Sequence, residues 1–122
     1  MISIEETEKM LEEIASGLPP EIFTELNGGI ILLPDTMLDE AGDDLYILGE
    51  YFCGGSLGRY IAIYYGSFAA VFGDLSRDEY KAELEITLKH EFTHHIESLA
   101  GEDDLDDEDD AYLAEYLRDT HE

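Results

Sequence analysis

The stretch from Ser76 to Gly101, "SRDEYKAELEITLKHEFTHHIESLAG", constrains the fold more than any other part of the chain. Ser76 followed three positions later by Glu79 is a capping box, in which each side chain satisfies an amide left free at the start of a helix. Gly101 is a natural C-terminal stop. The span between them predicts a helix of about 24 residues, roughly 36 Å at 1.5 Å per residue, long enough to cross a small domain. Leu84, Leu88, Phe92 and Leu99 supply its buried stripe. A chain of 122 residues, 44% of them hydrophobic, has material for one modest core beside such a helix. A single domain over residues 1–122 is therefore expected.

Helices flank this element in the sequence. "SIEE" at Ser3 is a second capping box, and Thr7, Met10, Leu11, Ile14 and Leu18 recur at helical spacing, giving an apolar stripe opposite a row of glutamates. "LPP" ends that helix. Near the C-terminus "AYLAEYLRD" reads as a short helix with Tyr112, Leu113, Tyr116 and Leu117 turned inward. Between the first helix and the long one lie three β-rich runs. "GGIILLP" follows the turn signal Asn27-Gly28-Gly29, and its four consecutive aliphatics suit a strand covered on both faces. "DDLYILGEYF" and "RYIAIYYGSF" are joined by the glycine-rich "CGGSLG", which allows a hairpin or a wide turn. The order of elements predicts an α+β fold, a small sheet packed on the long helix. No internal repeat or interdomain linker interrupts it.

The net charge of −25 comes from 31 Asp plus Glu against 6 Lys plus Arg, a balance that repels nucleic acid and anionic membranes. Acidic faces of this kind keep a small protein soluble; the sharper alternative is a preference for basic peptides. No apolar run approaches the roughly 20 residues of a membrane helix. The acidic "MISIEETEKMLEEI" has no basic lead before a hydrophobic stretch, so the expected location is cytoplasmic. The lone Cys53 has no C-x-x-C partner and reads as a partly buried thiol without a chemical role.

Chemistry concentrates in "HEFTHH". His90 and His94 stand four apart, so on a helix they point at one spot and have metal-chelating spacing. Glu91 is one step round, offset from the imidazoles and placed to contact a water instead of the ion. The arrangement H-E-x-x-H thus predicts one catalytic zinc, with Glu91 as general base and proton donor to the leaving amine. His95 is turned about 100° from His94 and cannot share its metal, which leaves a supporting or surface role. His121 is expected to be frayed and exposed.

A catalytic zinc takes three protein ligands and keeps one position open. After "IESLAG", counting three past Gly101 gives Asp104, whereas a chain reversing there brings up Asp109 just ahead of the last helix. Glu97 shares the histidines' face but would strain the geometry as a third ligand, so it is expected to support them. The run "EDDLDDEDD" lacks the glycine and glutamate spacing of a calcium-binding EF-hand.

With "ELNGGIILLP", "DDLYILGEY", "GGSLGRYIAIYYGSF" and above all "TLKHEFTHHIESLAG", the chain resembles the small zincin-like metallopeptidases of bacteria, the minimal metalloprotease type with an H-E-x-x-H-H core. The resemblance implies a small twisted sheet packed on the active-site helix, His90 and His94 as metal ligands, and Glu91 as general base. Members with H-E-x-x-H-H-x-G-x-x-D take their third ligand from an Asp soon after the glycine. The present chain departs from that spacing, so Asp104 and Asp109 both remain candidates. The expected substrate is a peptide or protein, with a basic one as the sharper alternative that the charge suggests. The competing reading is a metal-binding structural or interaction module without catalysis.

Overall fold

The computed structural model describes residues 1–42, 45–101 and 107–118. In chain order it contains α1 (Ile4–Ser16), a 3₁₀ turn (Pro20–Phe23), β1 (Gly29–Leu33), β2 (Met37–Leu38), β3 (Tyr46–Ile47), β4 (Gly49–Phe52), β5 (Tyr60–Tyr64), α2 (Tyr65–Phe72), α3 (Arg77–Gly101) and α4 (Asp107–Arg118). This is an α+β fold. Among the described residues no helix is long and apolar enough to cross a membrane.

Local chemistry sets the ends of the two helices that frame the core. Ser3 accepts from the Glu6 amide while Glu6 accepts from the Ser3 amide, and Ser76 and Glu79 do the same at the start of α3. All five apolar-stripe positions of the first helix and its exit are buried, and Leu84, Leu88, Phe92 and Leu99 are fully so. Arg77 pairs with Glu6, and Lys81 with Glu13 at 3.3 Å, across the α1–α3 seam. Both pairs are exposed and add little beyond register.

The main sheet has the order β1-β5-β4, with β1 parallel and β4 antiparallel to β5; β2 and β3 form a separate antiparallel ribbon. Alternation then decides what faces the helices. Ile61 and Ile63 are fully buried, and Ile30, Leu32 and Tyr51 join them in the core. Helix α3 packs on β4 and β5, with α1 and α4 on its flanks. At Gly49 the approach is close: a Cβ there would lie 3.1 Å from the Ala62 carbonyl oxygen and 3.4 Å from the Thr87 methyl. A side chain at that position would wedge α3 away from β4, beside His90.

Several expectations need correction. All four aliphatics of β1 are half-buried, because β1 is the outer strand of a small sheet. The "DDLYILGEYF" run divides at Leu48 into β3, paired with β2, and β4, paired with β5. The third run leaves the strand at Tyr64 and enters α2, where the Gly66 amide donates to the Asp35 carbonyl at a spot too close to Thr36 for any Cβ. Tyr112 is 52% exposed although Leu113 and Leu117 are buried as expected. Cys53 is exposed, at the mouth of the β4–β5 connection. In that connection Gly54, Gly55 and Gly58 take positive φ, which the glycine-rich sequence permits at low cost.

Candidate metal centre

His90 and His94 lie one turn apart on the face of α3 that looks out over β4, and both are exposed. Their rings meet edge to face with centroids 4.8 Å apart, and the two Nε2 atoms are separated by 3.3 Å. Two nitrogens bound to one tetrahedral zinc at about 2.05 Å must themselves be roughly 3.3–3.4 Å apart, so this separation is the edge of such a tetrahedron. The other ring nitrogen of His94, Nδ1, is 3.6 Å from Glu97 Oε1, longer than a hydrogen bond but close enough for the carboxylate to favour a proton there. A proton on Nδ1 leaves Nε2 with its lone pair.

Glu91 stands between these imidazoles and β4. It is 6% exposed, and it has no hydrogen-bond partner among the described residues. Burial pushes its carboxyl above the usual carboxylate range; His94 pulls it back and the Glu50 carboxylate pushes it further up. Two depressions of about 490 Å³ each meet here, sharing Gly49, His90 and Glu91. One runs toward Asp39 and Tyr46 over Ile47, Leu48 and Ile86; the other runs past Glu50, Tyr51 and His94. A separate cavity of about 270 Å³ between α1 and β1 contains no histidine and lies away from this chemistry.

His95 follows His94 directly, yet it is fully buried on the opposite side of the turn. Its Nε2 is 2.7 Å from the Thr24 carbonyl oxygen, which can only accept, so Nε2 carries the proton and Nδ1 accepts from the Tyr51 hydroxyl at 2.9 Å. Arg59 Nη1 donates in turn to Tyr51 Oη at 3.2 Å and to Ser98 Oγ at 2.5 Å. Burial holds the His95 pKa below its ordinary value; the Thr24 hydrogen bond raises it and Arg59 lowers it. A surface role for His95 is thus excluded. The Thr24 carbonyl is turned toward the ring by a tight turn, closed by the Leu26 amide on the Phe23 carbonyl, in which Glu25 adopts φ 61°.

Of the residues expected at the site, the fold brings His90, His94 and Glu91 together. Of the two candidates for the third ligand, Asp104 falls outside the described residues, and Asp109 has its backbone in α4 while its side chain is outside what is described. His121 also lies outside the described residues. Among the described residues no group of three His, Cys, Asp or Glu side chains could hold an ion; α3 presents two imidazoles, His90 and His94, of a donor type that zinc accepts. Tyr51 and Glu50 were not singled out in the sequence. The alternation of β4, with Gly49 and Tyr51 toward the helix, is the signal that could have found Tyr51.

No family model matches the chain, and no curated protein matches it. Among solved structures it is similar to a conserved hypothetical protein (TTHA0227) from Thermo thermophilus. The two share 32% sequence identity with a TM-score of 0.74, over 82% of this chain and 99% of that one.

Proposed function

The chain belongs to the same family as that conserved hypothetical protein of Thermo thermophilus, and within it we propose that this member is a zincin-like, zinc-dependent metallopeptidase. One observation carries the reading. Two imidazole nitrogens stand a tetrahedral edge apart, beside a nearly buried carboxylate with no hydrogen-bond partner among the described residues. No buried side-chain oxygen lacks a partner among the described residues, so the Glu91 carboxylate opens onto the groove, where proton transfer is a task its placement suits.

His90 and His94 would hold the ion through Nε2, with an Asp of the acidic tail, Asp104 or Asp109, as the third ligand. Zinc held there supplies Lewis acidity, bringing the pKa of water to about 7 and polarising a carbonyl. Glu91 removes the proton from the attacking water as the new C–O bond forms, then delivers it to the amine nitrogen as the peptide C–N bond breaks. Burial raises its pKa in the metal-free protein, the direction that favours returning the proton to the amine. Glu97 keeps the His94 ring in the ligating orientation, and Gly49 keeps the groove open between β4 and α3.

The exposure of both histidines in an open groove favours this reading over a structural zinc site, which would close four ligands around the ion. The test pairs metal analysis with a peptide library. Wild-type protein should contain one zinc per chain and cleave peptides, and Glu91→Gln should retain the zinc and lose about 10²–10⁴-fold in turnover. A zinc-loaded wild type inert toward the whole library would overturn the proposal.

A further inference from the structure

We infer that Glu50 selects substrates with a basic side chain, lysine or arginine, next to the scissile bond; the inference rests on the peptidase reading and deepens it. The argument begins with the walls of the two-armed groove. Three carboxylates line it, Asp39, Glu50 and Glu91, and no lysine or arginine does so among the described residues. Glu91 is spoken for by the chemistry, and Asp39 is exposed with Oδ1 accepting from the Ala41 amide. Glu50 differs from both. It stands on β4 in the arm that holds His94, and the Tyr64 hydroxyl donates to its Oε1 at 2.6 Å.

That hydrogen bond matters because Tyr64 is a rigid anchor. The phenol is only 5% exposed, and burial together with Glu50 itself pushes it far above its ordinary pKa, so it stays protonated and keeps donating. One oxygen of Glu50 is thereby fixed. A carboxylate immobilised by a neighbour loses little further entropy when it meets a ligand, which is how a specificity residue should be built.

Among the described residues Glu50 stands in no ion pair. Arg59, the cation nearest along the strand pair, is directed to Tyr51 and Ser98. The Tyr51 hydroxyl hydrogen is committed to His95 Nδ1, so this side chain does not offer it to an anionic ligand. An arginine or lysine entering the arm finds an anchored acceptor, whereas an aspartate or glutamate meets repulsion from Glu50 and Glu91. The opposite arm, floored by Ile47, Leu48 and Ile86, suits an apolar residue. The two arms share the His90–Glu91 centre, so the basic and the apolar residue would lie on opposite sides of the bond that is cut.

The experiment compares peptides identical except for arginine or its neutral isostere citrulline beside an apolar residue. Wild type should prefer the arginine peptide by about tenfold in kcat/KM at low salt, with the ratio shrinking toward unity in about 0.5 M salt as the pair is screened. Glu50→Gln should bring the ratio to within about twofold, and Glu50→Lys should invert it. A wild-type ratio near one, or a preference that survives both substitutions in protein with an unchanged melting temperature, would overturn the assignment. Should no peptide be cleaved, the peptidase reading falls by itself. Binding of the same two peptides to zinc-loaded Glu91→Gln protein then decides the charge preference, by the same ratios.

Discussion

Helix α3 carries two buried charges on either side of His90, and their surroundings differ. Lys89, 5% exposed, faces α4: its ammonium bonds Glu85 at 2.8 Å and lies 5.1 Å over the Tyr116 ring. Glu91, 6% exposed, faces β4 and has no hydrogen-bond partner among the described residues. A buried charge is stable when neighbours replace the water it lost, and Lys89 has both an ion pair and an aromatic face to do so. Glu91 has a groove. One side of the helix is built for stability and the other, on the proposed reading, for reactivity, at positions two residues apart. The same contrast separates His94 from His95. The first is exposed with Nε2 turned toward its neighbour's; the second is fully buried with both ring nitrogens committed.

The largest effect should come from breaking the reactive face at its ligands. His90→Ala should weaken zinc binding by more than the roughly 100-fold that loss of a supporting residue costs. Because the imidazole is exposed, the unfolding midpoint of the metal-free protein should move little. Calorimetric titration of zinc, beside thermal melts with chelator present, checks both halves.

On the structural face, Lys89→Ala should destabilise the metal-free protein by about 1–3 kcal/mol, through the lost cation–π contact and the cavity left by its stem. Zinc affinity should change less than in His90→Ala. Urea unfolding with and without zinc makes the comparison. A Lys89 variant of unchanged stability would break the contrast.

Glu91→Gln should act in the opposite sense, stabilising the metal-free protein by about 1 kcal/mol at neutral pH, since it removes a charge that burial disfavours. The sign follows from the raised pKa. The folded state holds the Glu91 proton more tightly than the unfolded one, so the stability from this group is complete below the ordinary carboxylate pKa. It is lost as pH rises through the higher folded value. The variant should lack that decline, which urea midpoints across the acid range would reveal. His95 gives the mirror image: its pKa is lowered on folding, so its contribution is complete above the ordinary histidine value. That contribution is lost as pH falls through the folded one.

Much of this contrast was legible in the sequence, and the reasons are local. Capping boxes at Ser3 and Ser76 and the 3.6-residue periodicity of α1 and α3 act over one or two turns, so their residues announce them. The juxtaposition of His90 and His94 was legible for the same reason, because i and i+4 on a helix meet whatever surrounds them. What surrounds a residue was not. The aliphatic run of β1 looks covered on both faces, yet its position at the edge of the sheet depends on how distant strands pair. The fate of His95 depends on Thr24 and Tyr51, 71 and 44 positions away. Tyr65 and its followers carry strand-like aromatics, yet the chain enters α2 there, tied to the distant Asp35 and Met37 through Gly66 and Ser67.

The smallest effect tests the support beneath His95. Glu25 takes a left-handed backbone that favours glycine, so Glu25→Gly should be neutral or stabilise by up to about 1 kcal/mol while leaving zinc affinity unchanged. A variant that instead loosened zinc would tie the buried face to the reactive one and erase the division between them.

The central claim is most directly tested by a crystal structure of the zinc-loaded protein with anomalous data at the zinc edge. One ion bound by His90 Nε2, His94 Nε2 and an aspartate, with Glu91 outside the coordination shell and within reach of a fourth, non-protein position, is the predicted result. An ion ligated by Glu91 itself, or no ion at the two histidines, would contradict it.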